Sequence, residues 1–227
     1  MKVHTLIENT DIQDEMHNRA VLNSGLYRGV TRPLNDIQLL PIRTDRTPRN
    51  SSIAQSILFD VCFQEHLGVK NIRRRALFCT TDFDVAVEYS FGDAGPGAVV
   101  EVMPLKSSKI AYHPRVSDSM ALCEQLENDF ARNNEDAQYL VNLLDEAQSS
   151  DSMESFTGAL SQIDENKRSG LVAHLMELSK NLFNGYVVTG ARSLEGMPGS
   201  FEVMVFDAPN YYASPIQDDG FGGDFYD

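Results

Sequence analysis

The chain has 227 residues, with 33 Asp and Glu against 19 Lys and Arg and a formal net charge of -14 at pH 7. A balance of that sign argues against nucleic acid or anionic lipid as a partner, because both would be repelled. No run approaches the roughly 20 apolar residues that span a bilayer, and the start, Met-Lys-Val-His-Thr-Leu-Ile-Glu-Asn-Thr, lacks the apolar stretch of a signal peptide, so a soluble chain is expected.

Cys62, Cys79 and Cys123 stand far apart with no Cys-x-x-Cys spacing, which fits a reducing compartment. His4, His17, His66, His113 and His174 form no ligand pair at i, i+4, so no metal is expected.

Residues 1–23 are polar with scattered apolar positions, and a short helix is predicted near 11–21. Leu26-Tyr27-Arg28-Gly29 then reads as a strand that delivers one guanidinium to its own end. Arg presents a planar fork of donors that meets phosphate oxygens two at a time, so an Arg fixed on a strand suits a pyrophosphate. An ordinary surface ion pair is the other use of such a residue. Leu39, Leu40 and Ile42 lead into Arg43-Thr44-Asp45-Arg46-Thr47-Pro48-Arg49-Asn50, a basic loop in an acidic chain. With Arg32 it concentrates positive charge beside the Arg28 strand, either as a phosphate-holding loop that uses Arg43 and Arg46 or as a solvated turn.

Ser51 or Ser52 is the N-cap expected for a helix through about His66, with Ile53, Ile57 and Val61 near helical spacing and Gly68 as the stop. The basic connector after it carries Arg73, Arg74 and Arg75, all expected at the surface. Ala76-Leu77-Phe78-Cys79-Thr80-Thr81 is an apolar strand ending in two hydroxyls. The helix that follows takes Thr81 or Asp82 as N-cap and carries Val85 and Tyr89 on one face. Residues 98–104 and 110–112 read as further strands, up to the boundary at His113-Pro114.

From 117 to about 181 the texture changes to about four short helices, with Leu122, Leu126 and Phe130 or Leu171, Leu175, Leu178 and Leu182 at helical spacing. Twelve Asp and Glu fall between Ser117 and Arg168, against Arg132, Lys167 and Arg168. That charge reads as a solvated helical face in preference to a docking face for a basic partner. Tyr186-Val187-Val188-Thr189 and Phe201 to Phe206 return to strand around a glycine-containing loop, and Glu202 stands near the start of the second, otherwise apolar, strand. Residues 207–227 hold five Asp with no Lys or Arg and read as a tail outside the fold.

Three blocks in this order resemble the Arg-Ser-Glu class of ADP-ribosyltransferases, the cholera- and pertussis-toxin type. The first is Tyr27, Arg28, Arg32, Pro33 and Asp36; the second is Cys79-Thr80-Thr81, where the family reads Ser-Thr-Ser; the third is Ser200-Phe201-Glu202-Val203, where it reads Gln or Glu, any residue, Glu, and commonly Val. The resemblance implies an α+β fold with a mixed or antiparallel split β-sheet core. Residues 1–116 would be its first part, 117–183 a helical insertion, 184–206 its last strands and 207–227 an acidic Gly/aromatic tail.

It also implies NAD as substrate, anchored by Arg28 with Gly29 beside it. Thr80, or secondarily Thr81, would position the carboxylate and the ribose, Tyr89 would join the NAD contacts, and Glu202 would be the catalytic acid. Ser200 and Phe201 would belong to the acceptor loop. Ser200 supplies neither a second acid nor an amide, so NAD hydrolysis stands beside transfer to a protein acceptor. The Arg-Thr-Asp-Arg-x-Pro segment is similar to proteins of tailed bacteriophages, which implies action in a bacterial host cytoplasm and packaging in a virion as a further possibility. The alternative from another class is a non-catalytic virion or interaction protein on the same fold, assembled through the acidic helices and the tail. A plain NAD-binding sensor is a third reading.

Overall fold

The computed structural model describes residues 25–44, 51–91, 97–191 and 199–216. The helix expected near 11–21, Arg46, Arg49 and the end of the tail lie outside these.

Eight strands form one antiparallel sheet. They are β1 (Tyr27–Val30), β2 (Gln38–Pro41), β3 (Leu77–Thr80), β4 (Ala98–Pro104), β5 (Lys109–Tyr112), β6 (Val187–Gly190), β7 (Glu202–Phe206) and β8 (Asn210–Pro215). Their order across the sheet is β2-β8-β4-β1-β3-β7-β5-β6. The ladder is continuous within β2-β8-β4-β1 and within β3-β7-β5-β6. Between β1 and β3 it is reduced to one pair, Tyr27 opposite Thr80. Two half-sheets therefore meet at a seam that a single bridging pair holds.

Seven helices accompany the sheet among the described residues: α1 (Ile53–Leu67), α2 (Ile72–Arg75), α3 (Phe83–Ser90), α4 (Ser119–Ala131), α5 (Glu135–Asp145), α6 (Ser152–Leu160) and α7 (Glu165–Phe183). α1 begins in a capping box between Ser52 and Gln55 and ends at Gly68, which adopts the left-handed conformation at φ 71° and returns its N–H to the Gln64 carbonyl. Its buried residues, Ala54 and Ser56 to Phe63, run all round the helix, which is the mark of a central helix.

The helices of 117–183 supply the reason. Leu126 and Phe130 of α4, Leu140 and Leu144 of α5, Phe156 of α6, and Leu175 and Phe183 of α7 form one core with α1 and with Met204 and Phe206 of β7. Phe59 and Phe63 stack at 5.5 Å between ring centres and both contact Phe183. Burying each such ring contributes about 1.5–3 kcal/mol. The segment anticipated as an insertion is thus packed into the main core. Alternation along β7 sends Val203 and Val205 to the other face, where they join Leu26, Cys79, Val100, Val102, Tyr211 and Ala213 in a second core.

Two expectations are corrected here. The tail does not begin at 207: Asn210–Pro215 is β8, held between β2 and β4, with Tyr211 and Ala213 buried. Its adjacent tyrosines, Tyr211 and Tyr212, suit a strand, a signal that the surrounding acidic composition conceals. Nor are all three arginines of the connector at the surface. Ile72 is fully buried and anchors α2, which turns Arg73 inward. No helix among the described residues is long and apolar enough to cross a membrane.

Candidate functional site

Register brings the three strand motifs together. Tyr27 is opposite Thr80 and Thr80 is opposite Glu202, so β1, β3 and β7 align at the seam where the half-sheets part. A cavity of about 270 Å³ opens there. Arg28, Thr80 and Glu202 all line it, with Tyr27, Gly29, Ser51, Phe78, Cys79, Ala86 and Tyr89. Arg73 and Ser117, Asp118 and Met120 complete the wall, the last three from the helical segment.

Arg28 reaches from β1 to donate through Nη1 to the Phe78 carbonyl of β3 at 2.6 Å. The guanidinium thereby bridges the gap at the seam and its orientation is fixed from one side. Thr80 is buried, and its hydroxyl oxygen accepts from the Asp82 backbone N–H at 3.1 Å. The hydroxyl proton is left for another acceptor. Asp82 in turn caps α3, its carboxylate accepting from Asp84 and Val85.

Glu202 is half-buried as a residue, but its Oε1 is sealed from solvent and has no hydrogen-bond partner. Burial pushes its carboxyl up to about 7, against the opposing pull of the Ser119 hydroxyl and N–H and of the Arg73 charge. Its own backbone N–H donates to the Val116 carbonyl at 3.1 Å, which ties the head of β7 to the approach to α4. Tyr89, across the cavity on α3, is raised to about 12 by burial and by the acids Asp118 and Glu202.

Other anticipated residues have different places. Gly29 lines the cavity, yet its lack of a side chain is required by packing: a Cβ there would stand 2.4 Å from the Ser90 backbone nitrogen. Thr81 does not line the cavity. Its hydroxyl donates to the Gly199 carbonyl at 2.8 Å and accepts from the Phe201 N–H at 3.1 Å, so it braces the entry to β7. Ser200 is exposed, and its hydroxyl is the first cause of the lowered pKa of the Asp82 carboxyl. Phe201 offers no surface to an acceptor, being 1 % exposed and stacked on Tyr112 in the second core. Arg43 is exposed after β2, with β8 and β4 between it and β1, and does not line the cavity. Arg46 lies outside the described residues.

The residues that sequence reasoning missed are Arg73, Asp118 and Ser119. Asp118 is the N-cap of α4, and the Ser-Asp-Ser run at 117–119 carries that signal in the sequence. Arg73 has none, because its direction comes from the left-handed turn at Asn71 (φ 52°) and the burial of Ile72.

The site thus offers one guanidinium fixed across the seam, one hydroxyl with a free proton, and one buried carboxylate, around a cavity wide enough for a ring and a sugar. Among the described residues, no group of three or more His, Cys, Asp or Glu could hold a metal ion. Compared with protein-family models, with curated proteins and with solved structures, the chain matches none of them.

Proposed function

We propose that this chain is an NAD-dependent mono-ADP-ribosyltransferase of the Arg-Ser-Glu type, acting on a protein acceptor in a bacterial host. The observation that carries the reading is the convergence of Arg28, Thr80 and Glu202, chosen from three separate sequence blocks, on one cavity at the seam of a split antiparallel sheet. The seam architecture also agrees with the core implied by the sequence resemblance.

In this reading the pyrophosphate of NAD lies against Arg28, and the nicotinamide and its ribose enter the cavity. The bond between the ribose C1′ and the nicotinamide nitrogen breaks, and its electron pair leaves with the ring, which departs neutral. Positive charge builds on the ribose as this happens. The Glu202 carboxylate stabilises that charge, and the Thr80 hydroxyl helps to orient the carboxylate and the sugar. A nucleophile on the acceptor then bonds to C1′ and loses a proton; with water in its place the product is free ADP-ribose. Because no acid stands two residues before Glu202, an acceptor that ionises or loses its proton without a second carboxylate is favoured over arginine.

One observation favours a second reading, a non-catalytic protein on the same architecture. A carboxyl raised to about 7 is half protonated at neutral pH and less able to stabilise a cation. Nicotinamide release from NAD, with and without bacterial lysate, separates the two. Release that requires Glu202 and rises with lysate supports the transferase, and release independent of lysate identifies a glycohydrolase. Folded protein that binds NAD or nothing and releases no nicotinamide refutes the enzymatic reading.

A further inference from the structure

α3 carries three large aromatic side chains that the core does not take. Phe83 is 43 % exposed, Tyr89 52 %, and Phe91, the residue that closes the helix, 62 %. They stand beside the cavity. Ala86 and Tyr89 line it, and Phe83 sets its ring edge-on, at 5.6 Å, to that of Tyr27, another lining residue. Positions 83, 86 and 89 follow one stripe of the helix, with the small buried Ala86 between two exposed rings. At 1.5 Å per residue the stripe is about 9 Å long. Apolar groups gathered in this way among polar ones mark an interaction face.

The same helix is acidic. Between Arg75 and Lys106 the sequence has five acids and no Lys or Arg. Asp84 and Glu88 are exposed one turn apart, and among the described residues neither lies within ion-pairing distance of a cation. Asp118 adds a further carboxylate to the cavity wall. The helix is also held still. Asp82 caps its first turn, and its end is seated on β1 so closely that a methyl on Gly29 would meet the Ser90 backbone. A face that needs no ordering before it binds loses less freedom on association.

We propose that this face of α3 docks a basic and apolar segment of the protein acceptor, one in which Lys or Arg alternates with aliphatic or aromatic side chains. The apolar side chains of such a segment cover Phe83 and Phe91, and its cations meet Asp84, Glu88 and the Tyr89 ring. The acidic balance of the whole chain attracts the same partner and repels an acidic one. A stripe of this length, continued by Phe91, suits a polypeptide better than a single small ring. That the docked segment belongs to an acceptor rests on the transferase reading above; the docking itself rests on the face.

The test measures fluorescence anisotropy of a labelled synthetic peptide of alternating Arg and Leu with the full chain at physiological salt. Peptides of alternating Glu and Leu and of alternating Arg and Ser serve as controls. The Arg-Leu peptide should bind tightest. Phe83→Ser with Phe91→Ser should weaken it by about tenfold or more, the size expected for losing interface anchors. Asp84→Asn with Glu88→Gln should weaken it by about two- to fivefold, the size expected for exposed ion pairs. Asp136→Asn, which removes an acid on α5 that pairs with Lys167, should leave it unchanged. In the nicotinamide assay the Phe83→Ser, Phe91→Ser variant should lose the part of release that rises with lysate and keep release into water. Both substituted rings are exposed, so the variant keeps its core. A wild type that does not bind the Arg-Leu peptide, or that binds it no better than the variant does or no better than the Arg-Ser peptide, overturns the docking face. A dimer in sedimentation velocity that the same variant disperses also overturns it, because the face then belongs to a second copy. Peptide binding that needs these rings, in a protein that releases no nicotinamide, upholds the face and overturns the transferase reading.

Discussion

Replacing Glu202 by Gln should abolish nicotinamide release and stabilise the fold at the same time, with a stabilisation that depends on pH. Burial takes the carboxyl from its ordinary 4.5 to about 7. The difference, 7 − 4.5, is about 2.5 pH units, and at about 1.4 kcal/mol per unit it corresponds to roughly 3 kcal/mol. Between pH 4.5 and 7 the folded chain keeps a proton that the unfolded chain has released. The folded state binds more protons there, so its stability falls as pH rises through this window, and the loss is complete above about 7. Gln carries no such penalty. Wild type and Glu202→Gln should therefore melt at nearly the same temperature near pH 4 and diverge toward pH 8. For a chain of this size the divergence should reach roughly 6–12 °C in favour of the variant. Asp60 is also raised, to about 6, and titrates in an overlapping range, but it is present in both proteins and cancels in the comparison. Thermal melts followed by circular dichroism at pH 4, 6 and 8 make the measurement. A difference in Tm that does not change with pH, or a wild type that is the more stable at pH 8, would refute the assignment of a buried carboxylate with a raised pKa.

Arg28→Ala should weaken NAD binding by about ten- to a hundredfold in calorimetry, the range for losing a charge-assisted hydrogen bond, with Arg28→Lys intermediate; equal affinities would remove Arg28 from the site. Gly29→Ala should destabilise the protein by about 1–3 kcal/mol or more, because the new methyl meets the α3 backbone. Gly68→Ala, with open space around it but φ 71°, should cost about 1 kcal/mol, and denaturant titrations of the pair distinguish a packing constraint from a conformational one. Joining 118 to 184 by a short linker should yield no cooperative melt, since Phe59 and Phe63 would lose Phe183 and the rest of the helical layer. A cooperative transition in that deletion would show the segment to be a separable insertion.

Local signals carried much of the fold. The Ser51-Ser52 cap, the Gly68 stop and the apolar spacing between them mark α1 before any coordinates, with Ser52 the residue that caps, and the hydroxyl-ended strand followed by Thr81-Asp82 announces β3 and α3. Arg28, Thr80 and Glu202, each singled out through a short block that resembles a known family, line one cavity. Their meeting was not legible, since it depends on the register of three strands drawn from distant parts of the chain. Thr81 and Phe201 illustrate the opposite case: next to true cavity residues in sequence, they fall on the other side of a strand's alternation or turn into a bracing role. β8 was hidden by composition, where five acids and several glycines outweighed six residues of strand. Arg73 escaped because nothing in an Arg-Arg-Arg run shows which member a buried Ile72 will turn inward.

The sheet order also says when this protein can exist as a folded object during its own synthesis. In each half-sheet a strand that comes late in sequence lies inside the ladder: β8 between β2 and β4, and β7 between β3 and β5. The helices spanning residues 53–183 have most of one another's surfaces available as soon as they leave the ribosome, but β2 waits for a partner whose residues, Asn210 to Ala213, come more than 160 positions later. Loop closure over such separations is slow and leaves strand edges open meanwhile. Glu202 arrives with β7, after every helix of the layer, so the nascent chain has its helices before its cavity has this acid. Any activity of this site begins only after β7 has been made and has paired with β3.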